Sequence, residues 1–218
     1  MRDRGHRCPS SSSPDGPGTG RIRAKPLIED FAQVLTQAQV GDARALTVLY
    51  RALNPGIERY LAGRAPDMAE DLAIETWIAV AEALPRFRGD EADFRGWVFT
   101  IARHRAIDAH RRVARRPIVE PLVDAGDPEV FEAGPAEWPA EDMALAALEA
   151  EAVLALVRRL PPDQADVILL RVVAGLDTER VGKALGKRPG AVRVLQHRGL
   201  RNLARLLDQE CRAARGFS

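Results

Sequence analysis

Apolar residues recur at helical spacing over two long stretches, from about Leu27 to Ala114 and from Ala140 to Leu207, and no β-type alternation persists beyond a few residues. This pattern predicts an all-α protein. In the first stretch the periodicity is interrupted at Gly41, Asn54-Pro55, Arg64-Ala65-Pro66 and Arg88-Gly89-Asp90, and each interruption predicts a helix boundary. In the second, Pro161-Pro162 separates two helices and Gly186 marks a tight break. Between the stretches, Pro117, Pro121, Pro128, Pro135 and Pro139 fall among Gly126 and Gly134, a composition that resists regular structure and reads as a linker. Residues 1–25 hold too little apolar surface to offset the entropy of ordering them and read as a disordered tail. The expected organisation is therefore a tail at 1–25, a helical domain at 26–116, a flexible linker at 117–141, a second helical domain at 142–210 and a short tail at 211–218.

The predicted helices have two-coloured faces. From Asp67 to Leu84, Ala73, Trp77, Val80, Ala81 and Leu84 form an apolar stripe, and Asp71, Glu75, Ile78 and Glu82 form a mostly acidic one. Further on, Ala102, Ala106, Ala109 and Val113 repeat at i, i+4, i+7, i+11, with His104, Asp108, Arg111 and Arg115 on the opposite side. One face can pack while the other meets a partner. Phe94, Trp97 and Phe99 read as core rather than as a stacking platform. Near the C-terminus, Asp177 or Thr178 is a candidate N-cap, Val181 and Leu185 are core contacts, and Gly186 supplies the left-handed residue that ends a helix. Pro189 suits the first turn of the next helix. On that helix Val192, Leu195, Gly199 and Leu203 share one stripe, leaving Arg193, His197, Arg198 and Arg201 outside. The layout is that of a helix-turn-helix.

Charge sharpens the picture. Arg95, Arg103, Arg105, Arg111, Arg112, Arg115 and Arg116 crowd one segment, and residues 176–207 form a second basic segment, whereas residues 117–142 carry acids and no base. The net charge of +1 over 218 residues results from cancellation, so it does not argue against a polyanionic partner. Arg103, Arg105, Arg111 and Arg112 suit phosphates, and His104 and Asp108 can hydrogen-bond an unstacked base. Cys8 and Cys211 lie near opposite termini without metal-ligand spacing, which disfavours a zinc site or disulfide scaffold and fits a reducing cytoplasm. No run of 18 apolar residues occurs and the first 20 residues lack the apolar stretch of a signal peptide, so neither membrane insertion nor export is expected.

Several of these segments resemble bacterial sigma-70 family factors, especially the small extracytoplasmic-function group. Leu160-Pro161-Pro162-Asp163-Gln164 through Leu176, followed by the helix-turn-helix, is similar to region 4, which in that family reads the promoter −35 element. Glu70-Asp71-Leu72-Ala73-Ile74-Glu75-Thr76-Trp77 resembles region 2.2, which docks on the polymerase clamp, and the segments Phe87-Arg88-Gly89-Asp90 and Phe94 to Asp108 resemble regions 2.3 and 2.4, which capture the non-template strand of the −10 element. The resemblance implies Asp71, Glu75 and Ile78 as core-polymerase contacts. It implies Arg103, His104, Arg105, Asp108, Arg111 and Arg112 as −10 contacts, and Arg188, Arg193, Val194, His197 and Arg198 as −35 contacts. His104 stands where many relatives carry Asn, and Val194-Leu195 where they often carry Ser and Arg.

The implied function is that of a non-enzymatic initiation factor with core RNA polymerase and promoter DNA as partners and an anti-sigma factor as a further candidate. No cofactor, metal or small-molecule substrate is expected. The linker, about 25 residues at ~3.3 Å each, reaches on the order of 80 Å, more than two DNA turns of roughly 34 Å. Its acidity keeps it off the DNA backbone. A stand-alone helix-turn-helix regulator is the competing binding-module reading, but it leaves the acidic stripe and residues 94–116 without a role. An enzyme reading is weaker, since the chain has no phosphate-binding glycine loop and no HExxH motif, and Asp67, Glu70, Asp71 and Glu75 lack convergent partners as metal ligands.

Overall fold

In a computed structural model of the chain, residues 27–115 and 140–215 are described, and among them every regular element is helical. The expected tail at 1–25 and nearly all of the expected linker lie outside these residues. Helix α1 spans Phe31–Gln39, α2 Ala43–Ala62, α3 Ala69–Ala83 and α4 Glu91–Arg115. The second unit comprises α5 Ala140–Arg158, α6 Pro162–Val172, α7 Thr178–Leu185 and α8 Pro189–Arg215. Short 3-10 turns at Pro66–Met68 and Leu84–Arg86 lead into and out of α3.

Helix starts follow their caps. The Asp42 carboxylate accepts from the backbone of Arg44 at 2.7 Å and Ala45 at 3.0 Å, and Asp90 accepts from the Asp93 backbone at 2.7 Å at the head of α4. Asp177 caps α7 by accepting from the Arg180 backbone at 2.8 Å. One expected boundary is overturned, because α2 runs straight through Asn54-Pro55. Proline there removes a backbone donor, but tertiary contacts hold the helix. The buried Asn54 side chain donates to Glu58 at 2.7 Å and accepts from the Trp77 indole at 2.9 Å, which ties this turn of α2 to α3.

The inner face of α2, with Leu49, Leu53, Ile57, Tyr60 and Leu61, packs on α3 and α4. On α3 the buried stripe is Leu72, Ala73, Thr76 and Val80, continued by Leu84 of the following 3-10 turn and offset slightly from the expected one: Trp77 is half-buried and Ala81 is exposed. Thr76 can be buried because its hydroxyl donates to the Leu72 carbonyl. Ala102, Ala106 and Ala109 of α4 are buried as expected, but Val113 is exposed at the rim of a groove with Met68 and Leu72, where α3 begins. Phe94 and Phe99 are fully enclosed and Trp97 packs partly against Phe87 and Phe94. The buried apolar residues of both helical units form one continuous cluster from Ile28 to Val192.

In the second unit, α8 crosses α6 where Gly199 allows close approach; a Cβ there would lie 2.8 Å from the Ile168 Cδ1. Asn202 donates to Gln164 across the same contact at 2.7 Å. Gly186, at φ 63°, ends α7 in the left-handed conformation, and the chain folds back so that Lys187 N–H bonds the Gly182 carbonyl at 2.9 Å. A Cβ on Gly182 would meet the Lys187 carbonyl oxygen at 2.6 Å, whereas one on Gly190 would meet nothing within 4 Å.

These two glycines should therefore respond oppositely to alanine. Gly182→Ala should cost about 1–3 kcal/mol through overpacking against backbone, despite alanine's better helix propensity. Gly190→Ala should be neutral or stabilising by up to ~1 kcal/mol. Thermal unfolding followed by circular dichroism separates the two; equal effects would show that the turn does not press on Gly182.

Candidate nucleic-acid interface

Helix α4 presents four sides. The first, Ala102, Ala106 and Ala109, is core. The second, His104, Asp108, Arg111 and Arg115, is exposed, with Arg111 3.4 Å from Asp108 on its own helix. The third carries Arg105 and Arg112, which lie 3.9 Å and 3.7 Å from the Glu75 carboxylate of α3. The fourth, bearing Gly96 and Arg103, faces the second helical unit. The six residues expected at a −10 contact are thus split among three sides, and one of the expected polymerase contacts, Glu75, is already engaged by two of them.

Arg103 differs most from expectation. Its Nε donates to Asp166 of α6 at 2.8 Å, and its side chain is only 16% exposed. The same carboxylate forms an ion pair with Arg64, whose Nε lies 2.8 Å away, accepts from the Tyr60 hydroxyl at 3.0 Å, and is itself 2% exposed. Burial, and next the neighbouring Asp166 charge, push the Tyr60 phenol well above its ordinary value, so the hydroxyl stays protonated and donates. Arg158 of α5 adds a bond to the Ala62 carbonyl at the C-terminal end of α2, at 3.0 Å.

A second junction forms at the head of α4. Arg180 of α7 reaches Asp93 at 3.0 Å and Asp90 at 3.3 Å while also pairing with Asp177. The Asp90 carboxyl is held below its ordinary value first by the Asp93 backbone N–H and then, against opposing burial, by Arg180. Burial works against the Asp177 carboxyl too, but bonds from the Arg180 backbone and guanidinium outweigh it and lower its pKa. Leu176 and Arg180 lie against Gly96.

The helix-turn-helix face is open by contrast. Arg188, Arg193, Val194, His197 and Arg198 are all exposed, and Lys187 beside them is fixed to Asp163 at 2.9 Å, which anchors the turn. Val192 is buried, Gly199 is buried, and Leu195 and Leu203 are half-buried, so the expected inward stripe holds, with α6 a main partner beneath it. On α3, Asp71 and Ile78 are exposed, the latter at 56%. Asp71 edges a groove of about 870 Å³ lined also by Glu58, Asp67, Met68, Glu70 and Glu151, an acidic setting suited to cationic side chains. Among the described residues no His, Cys, Asp and Glu group could hold a metal ion.

The residues that sequence reasoning missed are those of the junction: Tyr60, Arg64, Asp166 and Arg180. Asp166 alone carried a signal, as a charge inside the apolar run Ala165-Asp166-Val167-Ile168-Leu169-Leu170.

Comparison with known proteins identifies the family and supports the fold. The family model for Sigma-70 region 2 matches residues 49–116 and that for Sigma-70, region 4 matches residues 150–203. The chain is 37% identical over 182 residues to the ECF RNA polymerase sigma factor ShbA of Streptomyces griseus, covering 79% of this chain and 93% of that protein. It is 34% identical over 181 residues to the ECF RNA polymerase sigma factor SigD of Mycobacterium tuberculosis, covering 80% and 82%. Among solved structures, CnrH in complex with the cytosolic domain of CnrY aligns with a TM-score of 0.56 at 22% identity, over 81% of this chain and 96% of that one. RpoE of Bartonella quintana, in complex with the anti-sigma factor NepR, gives 0.53 at 19% identity, over 83% and 98%. At these identities the two structures speak to the fold.

Two carboxylates that pair with Arg180, Asp90 and Asp177, set an acid limit. Asp90 and Asp177 are depressed in the folded state relative to the ordinary 3.8, so their contribution is complete above that value and is lost as pH falls through the lower folded values. Thermal unfolding measured from neutral pH downward should show stability falling below about pH 4, and Arg180→Ala should flatten that fall. An unchanged slope in the variant would remove Arg180 from the junction's energetics.

Proposed function

The chain belongs to the sigma-70 family as an ECF RNA polymerase sigma factor, a protein that binds core RNA polymerase and directs promoter-specific initiation, and from that premise we propose how its surfaces divide the work. The observation that carries the proposal is the pair of open basic faces on two separate helical units, α4 and α8, beside an exposed carboxylate-bearing face on α3. Asp71 and Ile78 offer the polymerase a charge-assisted contact beside an apolar one. Glu75 joins them by exchanging Arg105 and Arg112 for cations of the partner.

On α4, His104, Asp108 and Arg111 form the open side that meets an unpaired −10 strand, with Arg103, Arg105 and Arg112 as phosphate contacts once their carboxylate partners are given up. On α8, Arg193 and Arg198 have the planar fork that reads guanine edges in a major groove, flanked by Arg188, Val194 and His197. The protein supplies positioning and strand capture in the cytoplasm, and the polymerase supplies the chemistry. An anti-sigma factor is the natural further partner, since the aligned RpoE and its anti-sigma factor NepR form such a complex.

In transcription from a promoter library with purified core polymerase, Arg193→Ala or Arg198→Ala should lose about 1–3 kcal/mol of discrimination at one −35 position. Uniform weakening on every promoter would reassign that residue to a phosphate. Asp71→Lys should abolish polymerase binding at unchanged helical content. Normal affinity in that variant would remove α3 from the docking surface.

A further inference from the structure

We propose that Asp166 is an intramolecular latch: in the free chain it holds the second helical unit shut against α4 and occupies Arg103 in place of a DNA phosphate, so that the −10 surface becomes whole only when the two units part. The inference rests on the reading of α4 as the −10 element. It goes beyond that reading by assigning the free chain a closed state in which the Arg103 side of α4 is withheld from DNA.

Three features carry it. Among the described residues the Asp166 side chain pairs only with the first unit: Tyr60, Arg64 and Arg103 are its three partners there, separated from it by 63 to 106 residues. A carboxylate with that set of donors presents oxygen acceptors and negative charge to Arg64 and Arg103, as a phosphate does. The covered strip of α4 also extends along the helix, with Leu176 and Arg180 over Gly96 and Arg180 bridging Asp90 and Asp93.

The masking is selective. Asp71 and Ile78 on α3 and Arg193 and Arg198 on α8 stay exposed in the closed arrangement, so polymerase docking and −35 reading remain available to it. Only the Arg103 side of α4 is withheld. The closure is also reversible in kind, because opening returns a carboxylate and two guanidinium groups to water, where each is well solvated. Between the units, the Leu154 and Leu169 side chains lie over Gly63 at the end of α2; a Cβ there would lie 2.9 Å from Leu169 Cδ1. A Cβ at Gly63 would have to displace the Leu169 and Leu154 methyl groups, and a side chain the size of tryptophan has no room there while the second unit stays in place.

Two full-length variants test this by different physics. Asp166→Asn removes the latch charge, and Gly63→Trp wedges the units apart with no change of charge. Both should expand the chain in small-angle X-ray scattering and bind a fluorescent single-stranded oligonucleotide, without polymerase, roughly tenfold more tightly or better, because apparent affinity scales with the competent fraction. Adding Arg103→Ala to Gly63→Trp should erase the gain. A chain that stays compact in either folded variant overturns the latch, independently of any polymerase assay. An opened chain with no gain in DNA affinity, or a gain that survives Arg103→Ala, overturns the masking of Arg103. Failure of the −10 reading of α4 shows elsewhere, as promoter opening by core polymerase that is unchanged when His104, Asp108 and Arg111 are replaced by alanine.

Discussion

Asp166 is 2% exposed, and its two oxygens accept from Tyr60 and Arg103 and pair with the Arg64 guanidinium, all on the other helical unit. Burying a carboxylate is costly unless it is both paired and hydrogen-bonded, so this side chain favours one mutual placement of the units, the one in which all three donors converge. The apolar contacts around it are less discriminating. Leu154 and Leu169 against Gly63, or Leu176 against Gly96, carry no directional preference of their own. The ion cluster fixes the register, and Arg180 at the head of α4 fixes the second point of a two-point attachment.

The elements themselves were legible in the sequence because they rest on local chemistry. Asp177, Gly186 and Pro189 announce the helix-turn-helix by cap, left-handed turn and first-turn proline, and the structure places each in that role. The alanine stripe on α4 likewise reports its buried side directly. Asn54-Pro55 misleads for the opposite reason: local propensity argues for a break, and a buried asparagine bonded to Trp77 outweighs it. The stripe on α3 was displaced because Thr76, polar by type, satisfies its hydroxyl within the helix and goes inside. Of the junction only Asp166 left a trace, as a charge inside an apolar run, and nothing in the sequence pointed to its partners. Its partners lie 63 to 106 residues apart, and helical periodicity carries no information over that separation.

The cations of α4 are graded by how firmly a carboxylate holds them. Arg111 sits beside Asp108 in solvent, and Arg105 and Arg112 share Glu75 at 3.7 to 3.9 Å with side chains 39% and 62% exposed. Exposed pairs of this kind contribute about 0–1 kcal/mol, so a polyanion displaces them at little cost. Arg103 is different: its partner is desolvated and shared with two other donors. Taking Arg103 for a phosphate without parting the units would leave Asp166 buried with one donor fewer, and that cost is what couples DNA contact on this side of α4 to separation of the units. An apolar residue at position 166 could close the units as tightly, since well-packed hydrophobic replacements of buried ion pairs are often neutral or stabilising. It could not make closure compete with a phosphate for the same guanidinium, because that competition requires an anion in the phosphate's place.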